Sequence, residues 1–235
     1  GVSFLPGDPW QPLHYDLSVQ LFDAAVEAGK AVHYYKDLYD YSRQSILTVV
    51  TACITNERKL VAFYSDQLVN HAKCFDDKLN CLYCLTKSLR QANELEEAKH
   101  SSFDIIQKCG EELPLPMGNG KLENEMEAMN HRLQNIPDES LLNMSETNNK
   151  KVVILLKLYT ELANLLFFID PSLIGSVSLR MVDLTLKSGS TSECPLAFAF
   201  YSGALISMGN IDEACRLGRT ALKLLEKSEC SIYKS

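Results

Sequence analysis

Four soft side chains stand close together along the chain: His71, Cys74, Cys81 and Cys84, in the spacing H-x2-C-x6-C-x2-C. One imidazole and three thiolates form the ligand set of a tetrahedral zinc site, which would make the chain a zinc-binding enzyme fragment. The competing reading ends one helix at His71 and Cys74 and turns Cys81 and Cys84 into the core of the next. Cys81 lies beside Leu82 and Leu85 in a strongly helical run, so this second reading is the expectation, with no metal and no cofactor. The other histidines, His14, His33, His100 and His131, are scattered, and no G-x-S-x-G elbow or H-E-x-x-H helix occurs. His100 follows Glu96 and Glu97 by four and three residues, the spacing of a surface ion pair on a helix. Glu123, Glu125 and Glu127 are expected on a solvated face, with Met126 and Met129 toward the core. Gly118-Asn119-Gly120-Lys121 lacks the first Gly and the Ser/Thr of a phosphate loop and is expected to be a turn. No catalytic residue is assigned, and the chain is expected not to be an enzyme.

These residues have to be held by helices. Gly and Pro together make nineteen of 235 residues, about 8% against an average near 12%. Apolar residues make 46% and charged residues 23%, an ordinary folded composition, and the net charge of −7 argues against nucleic acid as a partner. Helical spacing recurs over Leu17–Ala28, Leu60–Ala72, Leu79–Leu89 and Leu95–Cys109, with Gly29 and Gly110 as C-terminal stops. Ser45–Ile54 is β-branched and ambiguous between helix and strand. Residues 111–150 are broken by Pro114, Pro116, Gly118 and Gly120 and hold a polar helix, Leu122–Leu133, and a short turn that Asp138 would cap. Stronger helices are expected over roughly 151–169, 171–188, 194–208 and 211–228, with Pro171 and Pro195 in first turns and Gly189 and Gly209 closing the helices before them. The most apolar stretch, Val152 to Asp170, contains Lys157, Glu161 and Asn164 and reads as a buried helix, not a membrane span. The chain starts at Gly1, has its first methionine at Met117 and carries no secretory signal, so it reads as a piece of a longer cytoplasmic protein. Its eight cysteines are too few for a disulfide scaffold and are read as reduced.

Two segments repeat. Asn93-Glu94-Leu95-Glu96-Glu97-Ala98 and Gly209-Asn210-Ile211-Asp212-Glu213-Ala214 each offer a tight turn, an apolar residue, two acids and an alanine. The acids fall in the first turn of a helix, where the positive end of its dipole favours them, and the small alanine lets a preceding helix approach. The second copy resembles a tetratricopeptide repeat through Gly209, Ile211, Ala214, Ala221 and Leu222; the first, centred on Ala98, is degenerate. Phe198 and Ser202 stand where the repeat consensus has Trp and Gly. Some such repeats clamp chaperone tails with Lys, Arg and Asn, but Tyr83, Lys87, Ala199 and Gly203 occupy the matching positions, so that function is not expected.

Several segments in order resemble a wider family of large AAA/STAND-type signalling ATPases, in which a nucleotide-hydrolysing core precedes a long helical region, and resemble its algal, diatom-like forms more than the bacterial ones. The resembling residues are Trp10 with His14-Tyr15-Asp16-Leu17-Ser18 and Leu21-Phe22, then Phe75-Asp76-Asp77-Lys78-Leu79. They continue with Gly110-Glu111-Glu112-Leu113-Pro114, Ile136-Pro137-Asp138-Glu139-Ser140-Leu141-Leu142, Arg180-Met181-Val182-Asp183-Leu184-Thr185, then Gly189 and the Gly209–Leu225 hairpin. The resemblance places the chain in the helical region only. Against the family pattern, residues 29–51, rich in Tyr, read as an insertion or a retained intron.

The expected architecture is therefore all-α. It is an α-solenoid of antiparallel helical hairpins at 1–110, a linker with short helices at 111–150, and hairpins at 151–235 that include one tetratricopeptide-like repeat at 194–228. The expected role is a non-catalytic scaffold or interaction segment of a multidomain signalling ATPase, with a protein as partner and neither nucleic acid nor membrane. The alternative is a stand-alone helical adaptor that binds a protein partner.

Overall fold

A run from Lys150 to Ile169 free of Gly and Pro, started by a side-chain cap, builds the longest apolar element of the second half of the chain. Asn149 Oδ1 accepts hydrogen bonds from the Lys151 and Val152 backbone N–H groups at 3.0 and 3.4 Å, satisfying two donors that a helix start otherwise leaves open. The structure is a computed structural model that describes Trp10 and residues 15–26, 63, 65, 67–112 and 120–232, except the side chains of 228–232. The expectations for Ser45–Ile54, the insertion at 29–51 and the Gly118-Asn119 part of the glycine-rich turn lie outside the described residues.

The described residues are helical, with no strand among them. The chain forms two compact units, Gly1–Ala92 and Asn93–Ser235. The division falls inside the first repeat-like hairpin. In the first unit, residues 15–26 are helical (α1), residues 67–71 belong to a second helix (α2), and Phe75–Gln91 forms α3. The second unit contains α4 (Leu95–Lys108), α5 (Lys121–Gln134), α6 (Asp138–Leu142), α7 (Lys150–Ile169), α8 (Ile174–Ser188), α9 (Cys194–Ser207) and α10 (Ile211–Ile232). Pro171–Leu173 is a short 3-10 turn that leads into α8, so Pro171 starts a tighter turn and not the α-helix itself. Pro195 stands in the first turn of α9, and Gly189 and Gly209 follow α8 and α9, as the breaker residues require.

In the second unit the helices pack in chain order: α7 on α8, α8 on α9, α9 on α10. α4 covers α7, α5 lies on α8, and α6 lies on α10. The core takes Leu155, Leu156, Tyr159 and Leu166 from α7, Val177 and Met181 from α8, Phe198 and Tyr201 from α9, and Leu217 from α10. α7 is long and apolar enough to cross a membrane by composition. Ten of its residues, Val152 to Leu166, are buried inside the unit, which is what a central core helix requires.

The polar loop before α7 is tied to the end of α8. Thr147 N–H donates to Ser190 O at 3.0 Å and Ser190 N–H to Ser145 O at 2.9 Å, forming one parallel bridge. The bridge lies beside Gly189, whose φ is +103°, and a Cβ there would lie 2.6 Å from Ser145 O. Gly209 has a φ of +79° but open space around it. Gly209→Ala is therefore expected to cost only the left-handed backbone penalty, about 1–2 kcal/mol, and Gly189→Ala distinctly more, read as urea-unfolding free energies. At the other end of α7, Asp170 accepts from Ser172 Oγ at 2.6 Å and from Lys99 Nζ of α4 at 3.4 Å. The Ser172 hydroxyl first, then Lys99, holds this carboxyl below its ordinary range. Its contribution to stability is present above the unfolded-state carboxyl pKa of about 3.9 and is lost as pH falls through the lower folded value. Ser172→Ala is expected to raise the Asp170 midpoint in a carboxyl NMR titration.

Candidate functional site

The sulfur-rich motif does not assemble. His71 lies in α2, its Nδ1 2.8 Å from Gln67 O, and its ring stacks on Trp10 with centroids 4.8 Å apart and planes 4° from parallel. Cys74 is exposed ahead of α3, whereas Cys81 and Cys84 are buried on α3 one turn apart. Cys81 Sγ points to Ser65 O at 3.9 Å. Among the described residues, no three His, Cys, Asp or Glu side chains are gathered to hold a metal ion. His100 is exposed, and no ion pair among the described residues joins it to Glu96 or Glu97.

The first unit instead builds an aromatic and ionic cluster that no motif spacing marks as a site. Trp10 contacts Phe22 at 4.9 Å and Tyr15 at 6.4 Å between centroids. The Tyr15 hydroxyl donates to Asp77 at 2.6 Å and accepts from Lys73 N–H at 2.5 Å, and Lys73 Nζ lies 3.7 Å from the Tyr15 ring centroid. Burial and the neighbouring Asp77 carboxylate raise the Tyr15 pKa. Trp10, Tyr15, Phe22 and Asp77 meet here as packing residues.

In the second unit, the repeat-signature residues divide. Ala98, Ala214 and Ala221 are buried, and Ser202 Oγ donates to Ala214 O at 2.8 Å, so α9 approaches α10 closely at the alanine. Ile211 and Leu222 stay 51% and 62% exposed and take no part in the core. Asp138 does not cap α6, whose N-cap position is Pro137. It pairs with Arg216 of α10, Oδ1 to Nη1, at 2.5 Å. The same guanidinium donates to Leu133 O at 3.0 Å and Ile136 O at 3.4 Å, at the end of α5, and grips Glu213 at 2.6 and 2.9 Å. Glu213, then Asp138, raises the Arg216 pKa against the opposing effect of burial. A second arginine, Arg180 of α8, binds Glu112 and, at 3.3 Å, Glu125 of α5.

Two depressions mark the second unit. One, of about 490 Å³, lies among the 142–147 loop, the 190–195 loop and α10. Much of its polar lining is already engaged: Thr147 Oγ1 accepts from Asn149 N–H, Thr191 Oγ1 from Glu193 N–H, and Lys227 donates to Leu142 O at 2.9 Å. The other, of about 300 Å³, lies between one face of α5 and the α9–α10 turn, with Met126, Leu205 and Met208 as its apolar wall. Glu123, Glu127 and Asn130 add polar groups to it. Tyr201 fixes the two walls by donating its hydroxyl to Met126 O at 3.0 Å.

The chain matches no protein-family model, and no curated protein or solved structure is significantly similar to it.

The Arg216 grip makes a direct prediction. Arg216→Ala leaves the nearly buried Glu213 carboxylate uncompensated and frees two carbonyls, and is expected to cost about 2–4 kcal/mol in urea unfolding. Arg216→Lys keeps the charge but not the planar fork and should fall in between. Adding Glu213→Gln to Arg216→Ala should recover part of the loss.

Proposed function

We propose that this chain is a non-catalytic helical-repeat interaction segment that acts by presenting helix faces to a protein partner. The observation that carries this reading is the outer face of the α9–α10 hairpin. α10 buries one apolar stripe through Ala214, Leu217, Ala221 and Leu224, and carries a second through Ile211, Cys215 and Leu222 that is exposed. α9 likewise leaves Leu196 and Ile206 exposed while burying its other face. An apolar second stripe of this kind is the mark of a face that is covered in use. The tetratricopeptide-like turn at Gly209 and the in-order packing of α7 to α10 support a solenoid of hairpins as the architecture behind it. The resemblance to the helical region of AAA/STAND-type signalling ATPases supplies the setting, in which such a face engages other domains of the same polypeptide.

Leu222→Glu combined with Leu225→Glu changes only exposed positions and is expected to move the unfolding free energy by no more than about 0.5 kcal/mol each. The same pair is expected to abolish saturable complexes of the purified chain, measured by sedimentation velocity with a crosslinked and identified partner. A specific complex that survives both changes overturns the reading.

A further inference from the structure

The larger depression of the second unit, of about 490 Å³, is lined by groups that give protons and lack acceptors for them. Thr147 Oγ1 accepts the Asn149 N–H and Thr191 Oγ1 accepts the Glu193 N–H, both at 3.2 Å. A hydroxyl whose lone pair is taken in this way turns its own proton elsewhere. Neither threonine has an acceptor for that proton among the described residues, and both are half-buried on the pocket wall. Ser190 lines the same wall and spends only its main chain on the bridge to Ser145 and Thr147. Its hydroxyl has no partner among the described residues and is open to solvent. Across from these, Lys227 gives two of its N–H groups to neutral acceptors, Leu142 O at 2.9 Å and Asn143 Oδ1 at 3.3 Å. No carboxylate among the described residues pairs with it, and an ammonium has a third N–H to give. Two loops and α10 thus bring an unneutralised cation and three hydroxyl donors to one accessible concavity.

From these groups we infer that the pocket binds a small monocarboxylic acid with a hydrocarbon body. A carboxylate accepts and does not donate, so it matches a lining of ammonium and hydroxyl donors. Leu142, Met144, Val153, Pro195 and Leu224 form the apolar wall for the body. The volume of about 490 Å³ falls within the range of small-molecule sites, which are apolar with a few placed polar groups. Two further polar side chains complete the lining. Ser192 Oγ is spent on Glu193 Oε1 at 3.3 Å. Glu146 is exposed and enters no ion pair among the described residues. One fixed positive and one fixed negative charge therefore face the pocket, a balance that admits a monoanion and disfavours a phosphate dianion. The donors are preset, because the parallel bridge holds Ser190 beside Thr147 and Lys227 ties the 142–147 loop to α10. This site goes beyond the protein-binding role proposed above and does not depend on it.

The test is a two-dimensional NMR titration of the full chain with sodium octanoate, with n-octanol and with n-octyl phosphate. Octanoate is expected to give saturable shifts at the backbone amides of 144–147 and 190–193, and hexanoate to bind more weakly by up to about fourfold per methylene removed. Lys227→Gln keeps a donor for Leu142 O but not the charge, and is expected to weaken octanoate binding by about tenfold or more. Ser190→Ala removes a hydroxyl that holds nothing in the fold. It is expected to weaken binding by about threefold at an unchanged urea midpoint, which separates a ligand contact from a structural role. Glu146→Gln is expected to tighten binding by about twofold. Leu222→Glu with Leu225→Glu should bind octanoate like the parent, so this outcome and that of the apolar face are read apart. The inference is overturned if octanoate leaves the pocket signals unmoved, if octanol binds as tightly as octanoate, if octyl phosphate binds more tightly, or if Lys227→Gln binds octanoate as the parent does.

Discussion

A single guanidinium decides how the irregular middle of the chain meets its C-terminal hairpin. Arg216 reaches from α10 to two backbone carbonyls at the end of α5, to Asp138 at the start of α6 and back to Glu213 on its own helix. Five planar donors make this possible; a lysine at the same place would have to choose. Both helices that the break contains are thereby tied to α10, and with α5 comes one wall of the groove below the α9–α10 turn. The cost of desolvating a charge is offset because each bond ends on a carboxylate or on a backbone carbonyl at or just past the end of α5.

Around that point the unit is arranged by adjacency. α7 to α10 each pack on the next, and the outer helices α4, α5 and α6 lean on them singly. The ionic contacts follow the same plan: Arg180 and Arg132 of neighbouring elements tie α5 and α8 through Glu125 and Asp183, and Lys99 ties α4 to the end of α7. Apolar burial supplies most of the stability, and these half-exposed pairs choose the register.

Much of the helical plan is legible in the order of residues alone. Punctuating residues act within a turn or two of themselves, so Pro195, Gly189 and Gly209 mark the ends of α8 and α9, and the helix expected over 151–169 is Lys150–Ile169. What stays hidden in the sequence is set at a distance. Asp138 reads as a cap because its partner stands 78 residues away. Ile211 and Leu222 fit the repeat signature yet stay exposed, because α10 has two apolar stripes and spacing alone does not say which one meets a neighbour. The two depressions are hidden for the same reason: Glu123 and Glu127 read as a solvated face until the α9–α10 turn supplies a facing wall, and Thr147, Thr191 and Lys227 meet from two loops and a helix far apart in the chain. The compact units also divide at Ala92, in the turn where the sequence suggests one continuous hairpin.

The contacts at Arg216 and at Gly189 share a property with a consequence for descent. Arg216 holds Leu133 and Ile136 by their carbonyls, and the bridge beside Gly189 uses the main chain of Ser145, Thr147 and Ser190. A main-chain atom is the same whatever side chain it carries. Ile136 and Ser145 are thus free to drift in identity as far as these holds are concerned, while Arg216, the buried Leu133 and the glycine beside the bridge are not. A lineage built this way can lose recognisable likeness along the held segments long before it loses its shape.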